Sequence, residues 1–131
     1  MIQLAQEIYD GIIAHAQAEL PNECCGYLAG TDSTINKQYR MSNIDHSPEH
    51  FSFDPQEQFN VVRDARNKQL KILANYHSHP ETPARPSDED IKLAFDPNII
   101  YFIVSMAAEK PVLKAFKIVA KEVTNVNIAI I

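Results

Sequence analysis

His77 and His79 stand one residue apart and are followed at once by Pro80, while Ser87 and Asp90 follow six residues later with two residues between them. Residues two apart on an extended strand face the same way, so both imidazoles would converge on one side of a sheet. Pro80 cannot donate to a strand ladder and ends the strand there. Pro83 and Pro86 stiffen the next loop, and Ser87 is a natural helix N-cap. Asp90 then falls in the first helical turn, where the helix dipole favours a carboxylate. Two imidazoles and one carboxylate make three protein ligands, the pattern of a catalytic metal site with a position left open. Zinc suits this donor set, although iron or cobalt fits the same ligands.

Such a centre acidifies a water molecule and still needs a proton acceptor. Glu23, at the start of the apolar segment Cys24 to Gly30, is the candidate for that role. Ser87 is the candidate to steady an oxyanion: its oxygen caps the helix and its O–H stays free to donate. Taken alone, an H-x-H pair is an ordinary strand end, Ser87 and Asp90 form a capping-box variant, and Glu23 is one exposed carboxylate among many. The metal reading stands on all five residues occurring together.

The elements that must carry these residues can be read from pattern. Ile8, Ile12, Ala16 and Leu20 recur every four residues, one face of a helix ended by Pro21. Cys24 to Gly30 reads as a buried strand, Thr31-Asp32-Ser33 as a turn, and Ile35 to Met41 as the return strand. Residues 43 to 53 read as loop. Asp54-Pro55-Gln56-Glu57 opens a second helix, with Asp54 as cap, Glu57 reaching back, and Phe59, Val62 and Ala65, with Val61 and Leu70 nearby, forming its apolar side. Lys71 to Ser78 is a strand leading into the histidines, and a helix from Ser87 runs to Asp96-Pro97. Ile99 to Met106, Leu113 to Val119 and Val123 to Ile130 supply the remaining strands. Strands and helices in this order give an α/β or α+β sandwich with a mixed sheet.

The chain has 131 residues, 45% hydrophobic and 22% charged, which fits a single globular domain over residues 1–131. A net charge of −5 with scattered Lys and Arg gives no basic patch for nucleic acid. No stretch is long and apolar enough for a membrane helix, and residues 1 to 20 lack the basic start of a secretory signal. Cys24 and Cys25 are adjacent, which disfavours bridging and points to a reducing, cytoplasmic location. They read as buried packing residues. His46 and His50 have a zinc-finger spacing without its cysteines and read as loop residues, His50 or Phe51 lining a groove. His15 reads as structural, and Arg85 as exposed.

The whole pattern, H-x-H-P, six residues, then S-x-x-D, with an upstream Glu, resembles the JAMM signature of the MPN+ zinc metallopeptidase family. A chance match at ordinary residue frequencies is on the order of one in ten million per start position. The resemblance covers nearly the whole chain, in motif order and in length. It implies a three-layer fold like that of cytidine deaminases, with a mixed sheet flanked by helices. It also implies one zinc per chain on His77, His79 and Asp90, Glu23 as general acid/base, and Ser87 steadying the tetrahedral intermediate. The implied reaction is amide or isopeptide hydrolysis after the Gly-Gly tail of a ubiquitin-like protein. The short chain is most similar to compact prokaryotic members, some of which release an amino acid such as cysteine from a sulfur-carrier protein. Relatives without metal ligands serve as non-catalytic scaffolds, the alternative for this chain. Nucleoside deaminases combine H-x-E with P-C-x-x-C, and the P-C-x-x-C ligands are absent here.

Overall fold

In the computed structural model, which describes residues 1–131, the chain forms one sheet with helices on both of its faces. The elements are β1 (Ile2–Leu4), α1 (Gln6–Glu19), β2 (Cys25–Thr31), β3 (Thr34–Met41), α2 (Pro55–Asn67) and β4 (Lys71–His79). They continue with α3 (Asp88–Lys92), β5 (Ile100–Ser105), β6 (Val112–Val119), β7 (Glu122–Val126) and β8 (Ile128–Ile130). The sheet order is β7-β6-β5-β4-β2-β3-β1-β8, with parallel pairing at β4–β5, β1–β3 and β1–β8 and antiparallel pairing elsewhere. The mixed sheet expected from sequence is therefore present.

The segment read as one last strand, Val123 to Ile130, divides at Asn127. Its first half pairs with β6 and its second with β1, at opposite ends of the sheet. The sheet must curl until its ends meet, and this one segment closes it. The strand β1, which hydropathy alone did not mark, is the element that receives the second half.

Helix α1 buries Ile8, Ile12 and Ala16 against Leu28, Ala74, Tyr76, Phe102 and Val104 on one sheet face. Each large aliphatic side chain buried this way contributes about 1.5–3 kcal/mol. Leu20, grouped by period with those residues, lies past the helix end and is exposed. On the other face, α2 sets Val61 over Cys25 and Met41, while Ile91 of α3 joins Ala84, Ile103 and Phe116. This gives three layers, with α1 alone on its side.

Asp54 caps α2 as expected, accepting from the backbone N–H groups of Gln56 and Glu57. Glu57 does not reach back. Its carboxylate accepts from Ser42 N and Oγ at 2.7 and 2.8 Å, joining the end of β3 to the helix. The buried stripe of α2 is Val61 and Ala65, four apart, while Phe59 and Val62 of the expected apolar side are exposed. The Arg63 guanidinium lies over the Phe59 ring. Helix α3 stops at Lys92, short of Asp96. The Tyr101 hydroxyl pins the backbone N and O of Asp96, whose side chain turns back to Asn98 N, and such local bonds compete with a helix.

A buried polar chain lies between α1 and the sheet. His15 Nδ1 and the Tyr76 hydroxyl are 2.6 Å apart, and Gln38 Nε2 donates to the same hydroxyl. Two glycines make room for it: a Cβ on Gly26 would strike the Tyr76 ring, and one on Gly11 would strike Gln38 Oε1. Burial, with Arg40 nearby, lowers the His15 pKa from 6.5 to about 4. As pH falls from 6.5 towards 4, the unfolded chain takes up a proton that the native state refuses, so stability falls across that window. The loss approaches about 3 kcal/mol by pH 4. Urea unfolding at pH 7 and pH 4.5 checks this: the drop should be larger in the native sequence than in His15→Gln, which has no imidazole to charge.

Candidate metal centre

Strand β4 delivers His77 and His79 to the sheet face opposite α1, both buried. A bulge upstream sets their facing. β2 pairs Leu28 with Ala74 and Ala29 with Ile72, so Leu73 is the extra residue. Leu73 and Ala74 both join the α1 side, and alternation then carries Asn75, His77 and His79 to the other. The loop after Pro80 is anchored from the sheet: Ser105 Oγ donates to Thr82 O at 2.6 Å, and Ala84 is buried beside Ile103. His79 Nδ1 lies 2.9 Å from Pro83 O and donates to it, and Nε2 is the atom that faces Asp90 and would meet a metal.

Ser87 caps α3 and forms a reciprocal capping box: its Oγ accepts from Asp90 N, and its own N–H donates to Asp90 Oδ2. Asp90 Oδ2 lies 3.2 Å from His77 Nε2 and 3.0 Å from His79 Nε2, and the two Nε2 atoms are 3.1 Å apart. Bonds of about 2.0–2.1 Å to a tetrahedral ion place neighbouring ligands about 3.3 Å apart. The three atoms therefore outline one face of such a tetrahedron, and the residues fit a zinc ion. The electrostatics agree. Burial alone would raise the Asp90 carboxyl, but the hydrogen bonds from His77 and His79 hold it far below the usual carboxylate range.

Glu23 comes to the same place from β2. Cys25 is paired with His77, and Ser78 N donates to Cys24 O, so the antiparallel register carries Glu23 to the level of His79. Its backbone is held by Ser47 O and by the Asn43 side chain. The side chain is buried, and burial pushes its pKa up to about 8, with His79 opposing and Asp90 reinforcing the rise. It lines a cleft of about 440 Å³ together with His77 and Asp90. No Lys or Arg lines that cleft, so imidazoles are the only basic side chains its acids meet. A divalent ion at the three ligands would supply the missing charge.

Glu23, His77 and Asp90 line one cleft, His79 joins them through Asp90 Oδ2, and Ser87 is placed beside it by its capping box with Asp90. His50 also lines it, and its Nδ1 pairs with Glu89 Oε1 at 2.7 Å. Glu89, read as a solvated charge at the helix start, thereby tethers the 43–53 loop to α3. Phe51 stacks on the His77 ring with centroids 4.6 Å apart. Arg85 is exposed and His46 lies outside the cleft. Cys24 and Cys25 are free and buried, with burial raising their thiols to about 11 and about 12, so both are inert. Asn75, Tyr27 and Tyr101, further back in the cleft, escaped sequence reading. The same alternation that selects His77 and His79 would have reached Asn75.

Comparison with known proteins agrees with this geometry. Residues 5–119 match the family model for prokaryotic homologs of the JAB domain. The chain is 31% identical over 128 residues to the CysO-cysteine peptidase of Mycobacterium tuberculosis, covering 95% of this chain and 88% of that protein. It is 31% identical over 111 residues to the desampylase of Haloferax volcanii, covering 79% of this chain and 80% of the relative. The solution structure of a protein from Desulfitobacterium hafniense superposes with a TM-score of 0.92 at 46% identity, covering 99% of this chain and 92% of the other. With the family model matched over residues 5–119 and His77, His79 and Asp90 brought together, this chain belongs to the prokaryotic JAB/MPN domain family.

Proposed function

We propose that this protein is a zinc-dependent amide hydrolase that cuts after the C-terminal glycine of a ubiquitin-like or sulfur-carrier protein. The released group is an amino acid such as cysteine or a protein amine. The observation that carries the reading is the convergence of His77, His79 and Asp90, whose ligand atoms lie within 4.8 Å of one another beside a cleft that Glu23, His77 and Asp90 line. Relatives named as a CysO-cysteine peptidase and a desampylase support the substrate class. A reducing, cytoplasmic setting is consistent with two free cysteines.

Bound at His77, His79 and Asp90, zinc would supply Lewis acidity, polarising the scissile carbonyl and making water a nucleophile near neutral pH. The residues of the chain do the rest. Glu23 takes the proton lost by the attacking water and returns it to the departing amine, which must be protonated to leave. A carboxyl kept above its ordinary pKa by burial suits both halves of that transfer. The Ser87 hydroxyl, its oxygen already engaged by Asp90 N, donates to the oxyanion as the carbonyl becomes tetrahedral. His79, held by Pro83 O, and Asp90, held by Ser87 N, cannot swing away during the reaction.

The test uses the purified protein and a carrier protein bearing a cysteine in amide linkage to its terminal glycine. About one zinc per chain and loss of one cysteine mass from the carrier are expected. A protein that takes up no zinc and leaves the adduct intact would instead be a non-catalytic interaction module.

A further inference from the structure

Behind the three ligands, the cleft is floored by a row of residues that crosses three strands. Tyr27 on β2 and Tyr101 on β5 are both paired in register with Asn75 on β4. All three line the cleft. The two phenols are held at their outer ends: Tyr27 Oη accepts from Gln58 Nε2 at 2.9 Å, and Tyr101 Oη donates to Asp96 O at 2.8 Å. The Tyr101 proton is thus committed to Asp96 O, the Tyr27 oxygen is held by Gln58, and the rings stand on either side of Asn75. Asn75 Oδ1 is buried and has no hydrogen-bond donor in the protein.

A buried amide oxygen without a donor is unusual and marks a place where something else donates. No side chain of the cleft lies within hydrogen-bond range of this oxygen. The cleft's charged members are Glu23, Glu49, Glu89, Asp90 and Asp96, with no Lys or Arg. The cleft is therefore rich in acceptors and repels carboxylates. The floor itself is a neutral oxygen between two aromatic rings, an acceptor with no charge of its own. A neutral N–H on a slender chain matches that chemistry. Asn75 also lies two residues from His77 on the same strand face, about 7 Å along the strand. An extended peptide laid in the cleft advances at the same rate, so its N–H about two residues from the cut bond would reach Asn75.

We propose that Asn75 is a specificity-determining residue of the hydrolysis proposed above, its Oδ1 accepting a hydrogen bond from a backbone N–H of an extended substrate segment seated between Tyr27 and Tyr101. The assignment rests on that hydrolytic reading for its substrate and on the cleft alone for its chemistry.

The test is a pairwise cycle on the zinc-loaded protein. Peptide adducts are made in which one backbone N–H, two residues before or after the cut bond, is replaced by an ester oxygen. Asn75→Leu keeps the volume and removes the acceptor. KM for the all-amide peptide should rise about 5- to 100-fold in Asn75→Leu, with kcat and zinc content unchanged. One of the two ester peptides should lose a similar factor against the native protein and nothing further against Asn75→Leu. An unchanged KM in Asn75→Leu, a loss confined to kcat, or strictly additive effects would overturn the assignment.

Binding of the all-amide peptide to the zinc-loaded Glu23→Gln protein, with and without Asn75→Leu, separates the two readings. Asn75-dependent binding of a peptide that the native protein never cuts would sink hydrolysis and leave the Asn75 assignment standing. Cutting with an unchanged KM in Asn75→Leu would do the reverse. A peptide neither bound nor cut removes both.

Discussion

Glu23→Gln should keep one zinc per chain and lose hydrolysis by about 10²- to 10⁴-fold, the range for removing a general acid–base. The substitution is nearly isosteric. The backbone bonds of Glu23 to Ser47 and Asn43 do not involve its carboxylate, so the start of β2 should be undisturbed. The buried amide of Gln carries no charge, whereas the Glu23 carboxyl is pushed up to about 8 by burial and must lose its proton to act as base. Stability in the metal-free state should therefore hold or rise slightly. Single-turnover cleavage, metal analysis and thermal unfolding on one preparation check all three points. Full activity in the variant would remove Glu23 from the mechanism, and loss of zinc would make it a structural support of the centre.

Replacing a ligand should act in the opposite way. In Asp90→Asn the capping box can persist through Ser87 Oγ and Asp90 N, but the anionic oxygen shared by His77 and His79 is gone. Loss of a partner of a ligand costs about 10- to 100-fold in metal affinity, so loss of a ligand should exceed that. The readout need not be catalytic. At free zinc a thousandfold above its dissociation constant, binding stabilises the native protein by about 4 kcal/mol. Zinc should raise the unfolding temperature of the native protein by roughly 10 °C or more, and leave Asp90→Asn and His77→Ala nearly unmoved. Equal zinc stabilisation of all three proteins would mean that the ion binds elsewhere. His79→Ala is a poorer choice, because it also removes the bond to Pro83 O that holds the loop.

The sequence by itself singled out His77, His79 and Asp90 as the proposed ligand set, the helix cap beside them and the strand that carries the histidines. These are local facts: alternation on a strand, a proline that ends it, and a serine three residues before an acid fix directions over a few residues. The Asp54 cap and the buried β5 run were legible for the same reason. Tertiary structure decided whatever depended on partners distant in the chain. Glu23 reaches the site only through the register of β2 on β4, and that register contains a bulge at Leu73 that composition does not announce. The Glu57 carboxylate left its own helix because Ser42 offered two donors. The last apolar segment divided at Asn127 because its two halves pair with strands at opposite ends of a sheet that closes on itself. The Tyr27–Asn75–Tyr101 floor exists only once β2, β4 and β5 lie side by side. Short-range pattern specifies which way a side chain points, and only long-range pairing specifies what it meets.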